Sequence, residues 1–343
     1  MSTTPACLLE TLEMTFSSFL HRIQRGLSSV EMIHTSHPRW PLPPGRAHLL
    51  PTIQISVLDS SFNPPTLAHL ALASILRPSP LSPGSSADIP IAAHPSTVDF
   101  DARLLLLSVR NADKQLKPGD ATYEQRMEMM VLLTQDLART PSRDLHTAHT
   151  TPLESIAHES NVAVAIIDEP TFVGKSALLL DFLHKRISDL YSGDGIIPAP
   201  QSLSPRDSTS TQPPSPKLTF LMGTDTIVRF FAARYYASEG AMQTALHRFL
   251  SPAENDSRII CARRVSRGVS REEEEKAETQ LPDFVRDVAP ADHIAFVDIG
   301  EKECAYSSSE VREKIAKGDE SWRTMVTPRV AAYVEEHRLY SPA

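Results

Sequence analysis

Six short apolar runs recur along the chain: Ile53–Leu58, Leu104–Val109, Val162–Ile167, Leu218–Met222, Arg258–Ala262 and Ile294–Val297. Most lack the alternation of a strand with one wet face, so they predict strands covered on both sides. Between them, apolar residues fall at helical spacing and predict helices over Pro65–Leu76, Tyr123–Leu137, Lys175–Leu190, Thr226–Ala233, Ser309–Lys317 and Pro328–Glu336. Thr122 with Gln125 forms a capping-box pattern at one of these starts. Strand alternating with helix predicts an α/β fold built on a Rossmann-like, doubly wound parallel sheet. Ligands of such sheets sit at the carboxyl ends of the strands. Ahead of the first strand, Leu9, Leu12, Phe16, Phe19, Leu20 and Ile23 repeat at helical spacing. They predict an amphipathic helix that packs on the domain, with membrane-surface contact as the alternative.

Four stretches break the pattern. Residues 78–95, 140–159 and 197–216 are rich in Pro, Ser, Thr, His or Gly, and 266–282 is charged around Glu272–Glu275. Such composition buries too little apolar surface to order itself, so these read as disordered loop inserts. The expected division is an N-terminal helix and extension over 1–50, then one domain over 51–343.

Composition narrows the function classes. With 343 residues and 41% hydrophobic character the chain can build a sizeable core. A net charge of −8 argues against a nucleic-acid partner, which would require a basic footprint. Cys7, Cys261 and Cys304 are odd in number and widely spaced, which fits reduced thiols rather than a disulfide or zinc framework. No apolar run reaches the roughly 18 residues that span a bilayer. Glu10 and Glu13 interrupt the first apolar segment, which argues against a signal peptide. The default compartment is the cytoplasm, with the nucleus also open. Oligomeric state is not legible.

The chemistry concentrates where the first strand ends. Asp59-Ser60-Ser61-Phe62-Asn63-Pro64-Pro65-Thr66-Leu67-Ala68-His69 reads as a strand, a tight turn and a helix opened by prolines. Asn63 is a candidate cap, and Pro suits a first helical turn. Thr66 and His69, three apart, face one side near the helix start, where free N–H groups and the helix dipole favour an anion. The plainer explanation is a strand–turn–helix with a surface histidine. Ser307 with Glu310 forms a second capping box, which by itself would account for the serines there, and Arg312 follows one turn later with bidentate reach. Gly223 and Asp225 follow another strand end, as a close-approach glycine and a ribose- or substrate-binding carboxylate, or simply as a turn and cap. Gly174-Lys175-Ser176 lacks the upstream glycine of a P-loop and is rejected as one, with Gly174 placed in a turn before its helix.

Ser61-Phe62-Asn63-Pro64 followed by Thr66-x-x-His69 resembles the opening motif of nicotinamide mononucleotide adenylyltransferases, within the nucleotidyltransferase superfamily. Ala112-Asp113-Lys114 with Tyr123-x-x-Arg126-Met127, Met222-Gly223-Thr224-Asp225, Tyr306–Arg312 and the tail from Pro328 to Tyr340 follow in the family's order. The D-S-S-F-N-P-P opening is similar to the divergent fungal branch. The resemblance implies that ATP donates AMP to nicotinamide mononucleotide, giving NAD⁺ and pyrophosphate by direct in-line attack, with Mg²⁺ carried on the ATP phosphates and no metal-ligand cluster in the protein. It implies His69, Thr66 and Arg312 as catalytic residues. Ser60, Ser61, Phe62, Thr66, His69, Gly223, Asp225, Ser308, Ser309 and Arg312 would line the ATP site, and Lys114 with Asp225 the acceptor site. The chain departs from the pattern at Ser60, where the family has Gly, at Ala68 and Tyr306, and at Ser309, which keeps the hydroxyl. Trp40 and Trp322 lie outside the matching segments, so neither is assigned to stacking on the pyridine. Transfer to another phosphate acceptor or to water, and a catalytically silent nucleotide-binding module, remain as alternatives.

Overall fold

The computed structural model describes residues 16–44, 50–78, 97–110, 119–138, 161–193, 212–263, 289–290 and 292–341. Seven strands form its main sheet: β1 (Val30–Thr35), β2 (Thr52–Asp59), β3 (Ala102–Ser108), β4 (Val162–Ile167), β5 (Ser215–Gly223), β6 (Arg258–Ala262) and β7 (Ile294–Val297). Their order is β1-β4-β3-β2-β5-β6-β7, parallel except for β1, which runs antiparallel to β4 at the edge. The helices are α1 (residues 16–24), α2 (Leu67–Ala73), α3 (Tyr123–Leu137), α4 (Phe172–Gly193), α5 (Thr224–Phe230), α6 (Glu239–Leu250), α7 (Ser308–Ala316) and α8 (Pro328–Glu336).

The fold is the predicted doubly wound α/β sheet, parallel in all but its β1 edge. From β2 the chain moves outward through β3 and β4, then returns to the other side of β2 for β5, β6 and β7. The switch point therefore lies between β2 and β5, whose carboxyl ends flank the crevice where such sheets bind ligands.

Side-chain alternation assigns the helices to faces. Ile53, Ile55 and Val57 share a core with Leu179 and Leu183 of α4, Ile227 of α5 and Leu246 of α6. Leu58 shares the opposite core with Phe16 and Ile23 of α1 and Met127, Met130 and Leu133 of α3. A third cluster joins Met129 of α3 to Val311, Trp322, Val330 and Tyr340, fastening the C-terminal tail to the body.

Sequence and structure differ at several elements. β1 falls within the stretch read as an extension, yet it joins the main sheet, while α1 packs on the core as expected. Strand β1 gave no apolar run because it is a half-exposed edge, with Glu31 paired to Arg22 at 2.6 Å and a register shift between Met32 and His34. Helix α1 buries Phe16, Leu20 and Ile23 against protein, as the predicted packing on the domain requires, whereas Leu9 and Leu12 lie outside the described residues. Helix α6 was not anticipated, although Ser238 caps it and Met242, Leu246, Phe249 and Leu250 are buried on one face. Gly174 lies inside α4, not in a turn before it. Helix α2 is shorter than predicted, and α5 begins two residues earlier. Of the stretches read as inserts, 79–95, 140–159, 197–211 and 266–282 lie outside the described residues, whereas Ser215 and Pro216 open β5.

At the amino ends of β5, β6 and β7, Asp256 accepts hydrogen bonds from Lys217 and from His293, the latter at 2.7 Å. His293 is 3% exposed and also faces Asp292 at 3.2 Å. Burial tends to raise the Asp256 carboxyl, but the hydrogen bonds and charges of Lys217 and His293 outweigh it and hold the group below its ordinary value. A depressed folded-state value gives a contribution to stability that is fully present above the ordinary value of 3.8 and is lost as pH falls from there through the folded value. Asp256→Asn should therefore flatten the acid limb of stability below about pH 5, read as the urea midpoint at each pH. An unchanged slope would exclude this cluster as its source.

Candidate active site

The β2–α2 loop begins at the switch point. Ser60 N–H donates to Leu106 of β3, holding the strand end in register. Phe62 follows at φ +44° with its ring fully buried, so only its backbone faces the crevice. The ring lies 5.2 Å from the His69 imidazole and backs it from the core side.

His69 is the third residue of α2 and occupies the place that Glu or Gln fills in an ordinary capping box. The Thr66 amide N–H donates to His69 Nδ1 at 3.0 Å, and the Thr66 hydroxyl lies 2.9 Å from the same atom. An amide N–H can only donate, so Nδ1 accepts and the proton of the neutral ring sits on Nε2. Nε2–H then points at Ser60 Oγ, 2.9 Å away. This tautomer is the reverse of the one that activates a serine nucleophile, whose histidine must accept at Nε2. With Nε2–H directed at Ser60 Oγ, the Ser60 hydroxyl proton is left to donate elsewhere, which suits stabilising negative charge rather than forming a covalent intermediate. Ser60 is not among the described residues with positive φ, so the serine fits this loop without backbone strain.

The loop is gripped from behind by the C-terminal part of the chain. Ser308 Oγ donates to Pro64 O at 2.7 Å, and Arg312 donates from one terminal nitrogen to Asn63 O at 2.6 Å. The other terminal nitrogen of Arg312 donates to Ser309 Oγ at 3.3 Å, and Nε lies 3.6 Å from Asp120. Its fork is thus turned toward the loop backbone. Ser307 caps α7 by accepting from Glu310 N–H, as its sequence pattern predicts. Asn63 is a hub rather than a helix cap, which is Thr66. Its amide donates to Asp120 at 2.8 Å, and its carbonyl accepts from Ala121 N–H at 3.2 Å and from the Tyr340 hydroxyl at 2.8 Å. Asp120 also faces Arg126 at 3.7 Å. Burial pushes Arg126 down from its ordinary value and Asp120 opposes the shift, while burial raises the Tyr340 phenol far enough to keep it a donor.

On the other flank of the crevice, Gly223 is the N-cap of α5 at φ −89°. A Cβ built there would meet nothing within 4 Å, so neither backbone nor packing among the described residues demands glycine. Asp225, in the first turn of α5, is exposed. Lys114 lies outside the described residues. Just before them, Arg110 forms a bidentate pair with Asp168 at 2.9 and 2.7 Å.

Ser60, Thr66, His69, Ser308, Ser309 and Arg312 thus converge on one loop, and Gly223 and Asp225 flank it across the switch point. Trp40 and Trp322 are 0% and 4% exposed, so both serve packing. Motif reading missed Asn63, Asp120 and Tyr340 as a unit, because their partners are 57 or more residues apart in sequence. It also missed the role of Lys175, whose ammonium meets Asp59 at the end of β2. Among the described residues no group of three or more His, Cys, Asp or Glu is placed to hold a metal ion. No described helix is long and apolar enough to cross a membrane.

No family model matches the chain. Over 280 residues it is 26% identical to a Schizosaccharomyces pombe protein named "Putative nicotinamide mononucleotide adenylyltransferase", spanning 80% of this chain and 81% of that one. Among solved structures, Plasmodium falciparum nicotinic acid mononucleotide adenylyltransferase complexed with APC matches with TM-score 0.40 and 12% identity, over 84% of this chain and 97% of that one. The same enzyme complexed with NaAD gives TM-score 0.42 and 13% identity over the same shares.

Proposed function

We propose that this chain, a divergent relative of the nicotinamide mononucleotide adenylyltransferases and itself a nucleotidyltransferase, moves AMP from ATP to the phosphate of nicotinamide mononucleotide. The carrying observation is the Ser60–His69–Thr66 constellation at the β2/β5 switch point, braced by Ser308 and Arg312. An acceptor phosphate oxygen would attack the α-phosphorus in line as the bond to pyrophosphate breaks. Such a transfer requires little covalent help from the protein and depends on positioning and charge stabilisation.

In this reading, His69 Nε2–H swings from Ser60 Oγ to a phosphate oxygen as ATP enters, the freed Ser60 hydroxyl donates to a second one, and Thr66 holds the imidazole in that tautomer. Ser309 and the half-exposed side of Arg312 face the departing pyrophosphate. Gly223 gives room for the nucleoside, Asp225 takes ribose hydroxyls, and Lys114 anchors the acceptor phosphate. Mg²⁺ would enter on the ATP phosphates, keeping most of its other ligands as water. Bound there, it neutralises phosphate charge.

A second reading has a specific motive. With both tryptophans buried in packing, no tryptophan is left to stack on a pyridine ring. The acceptor would then be a different phosphate, or water. One assay separates the readings: the protein with ATP, Mg²⁺ and nicotinamide mononucleotide, following NAD⁺ and pyrophosphate together. Matched formation of both is expected. Pyrophosphate or phosphate without NAD⁺ would move the function to another acceptor or to hydrolysis. ATP binding without any product would leave a non-catalytic binding module.

A further inference from the structure

The crevice has two unlike walls. Leu58 faces the side of the sheet carrying α1 and α3, and Ser60, next in that alternation, reaches His69 of α2. Asp59 continues the alternation of Ile53, Ile55 and Val57 and faces the side carrying α4 and α5. There its carboxylate meets Lys175 Nζ at 2.5 Å, with the two side chains 9% and 5% exposed. The Phe172 ring lies 5.0 Å from the same ammonium and stacks edge-on with Phe220 and Phe230. Phe230 in turn meets Phe231, and both Phe172 and Phe231 keep partial exposure. One wall is built for an anion, and the other is aromatic with a buried, internally neutral ion pair at its floor.

Burying an ion pair costs several kcal/mol per charge before attraction is counted, so it is weak evidence of stabilisation by itself. An ammonium has three donors, and the contacts described for Lys175 engage one carboxylate and one ring face. At the end of the central strand, beside the switch point, such a pair is placed to act on a ligand.

We infer that the Asp59–Lys175 pair reads the ring substituent of the acceptor nucleotide and favours a neutral carboxamide over a carboxylate. This rests on the adenylyl-transfer reading and adds the acceptor's charge to it. A carboxamide can accept from Lys175 and donate to Asp59. A carboxylate could accept from Lys175 too, but it would then lie against Asp59, with like charges in a dry site.

The test compares kcat/KM for nicotinamide mononucleotide and nicotinic acid mononucleotide in wild type, Asp59→Asn and Lys175→Gln. Asp59→Asn leaves the ammonium uncompensated and should shift the ratio at least about ten-fold toward the carboxylate acceptor. Lys175→Gln leaves the carboxylate uncompensated and should shift it the opposite way. The doubly neutral Asp59→Asn/Lys175→Gln protein relieves any folding defect of the single variants and should keep the amide preference. Ratios that stay within two-fold of wild type in folded variants would overturn the inference. Wild type that transfers AMP to neither acceptor would overturn the functional reading instead. The pair is then judged by titration calorimetry with the two mononucleotides, where unchanged relative affinity in Asp59→Asn overturns it.

Discussion

His69→Ala should lower kcat for adenylyl transfer by about 10²- to 10³-fold, with a much smaller change in the KM for ATP. The reason lies in the proton inventory of one ring. Nδ1 is committed to Thr66, so Nε2–H is the single donor the imidazole can offer. Charge grows on the phosphate oxygens only as the α-phosphorus is attacked, so a donor aimed there acts on the transition state more than on bound ATP. Deleting the ring also strips Ser60 of the N–H that orients its hydroxyl and leaves the Thr66 amide without its acceptor. His69→Gln should lose less activity than alanine, because its amide nitrogen can approach the Nε2 position although it cannot also serve Thr66. Steady-state NAD⁺ and pyrophosphate formation would decide. A His69→Ala protein with unaltered kcat would remove the imidazole from the chemistry, and an equal loss through KM alone would make it a ground-state binding group.

Much of this was legible in sequence, for identifiable reasons. Buried parallel strands produce apolar runs, and β4, with every residue buried, is the clearest of them. The Ser60–Thr66–His69 cluster was legible because strand, turn and helix are adjacent in sequence, so these side chains had to meet. Local rules fail where the fold is completed by distant segments. β1 lies on an edge and need not be apolar on both faces. Phe62 lies within the resembling motif, yet its side chain belongs to the core, and only the backbone conformation shows this. Arg312 was read as reaching phosphate, and no spacing rule could show that one of its terminal nitrogens also holds the loop carbonyl of Asn63. Lys175 was set aside with the false P-loop, because no spacing rule could bring it to Asp59, 116 residues earlier.

Asn63→Ala should be the most damaging single change to the fold of the site, lowering stability by about 3–5 kcal/mol. Asn63 is 4% exposed, and its side chain supplies three hydrogen bonds to groups that are themselves sheltered. Truncation leaves Ala121 N–H and the Tyr340 hydroxyl without their acceptor and removes a donor from Asp120. Each stranded group costs about 1–3 kcal/mol when water cannot replace the partner. Tyr340→Phe deletes one of these bonds from the other end and should cost only about 1 kcal/mol, because Asn63 Oδ1 keeps Ala121 N–H. Equilibrium urea unfolding of the two single variants and the double variant measures this directly. The double variant should be less destabilised than the sum of the singles, since removing the phenol oxygen also removes a group that Asn63→Ala would strand. Additive losses would mean that water satisfies Tyr340 already. A loss below 1 kcal/mol for Asn63→Ala would mean that the loop is held by Ser308 and Arg312 alone. Because the same loop leads into α2 and so positions His69, Asn63→Ala should also lose activity under conditions where the protein is still fully folded. Tyr340→Phe, which leaves Asp120 and Ala121 in place, should not.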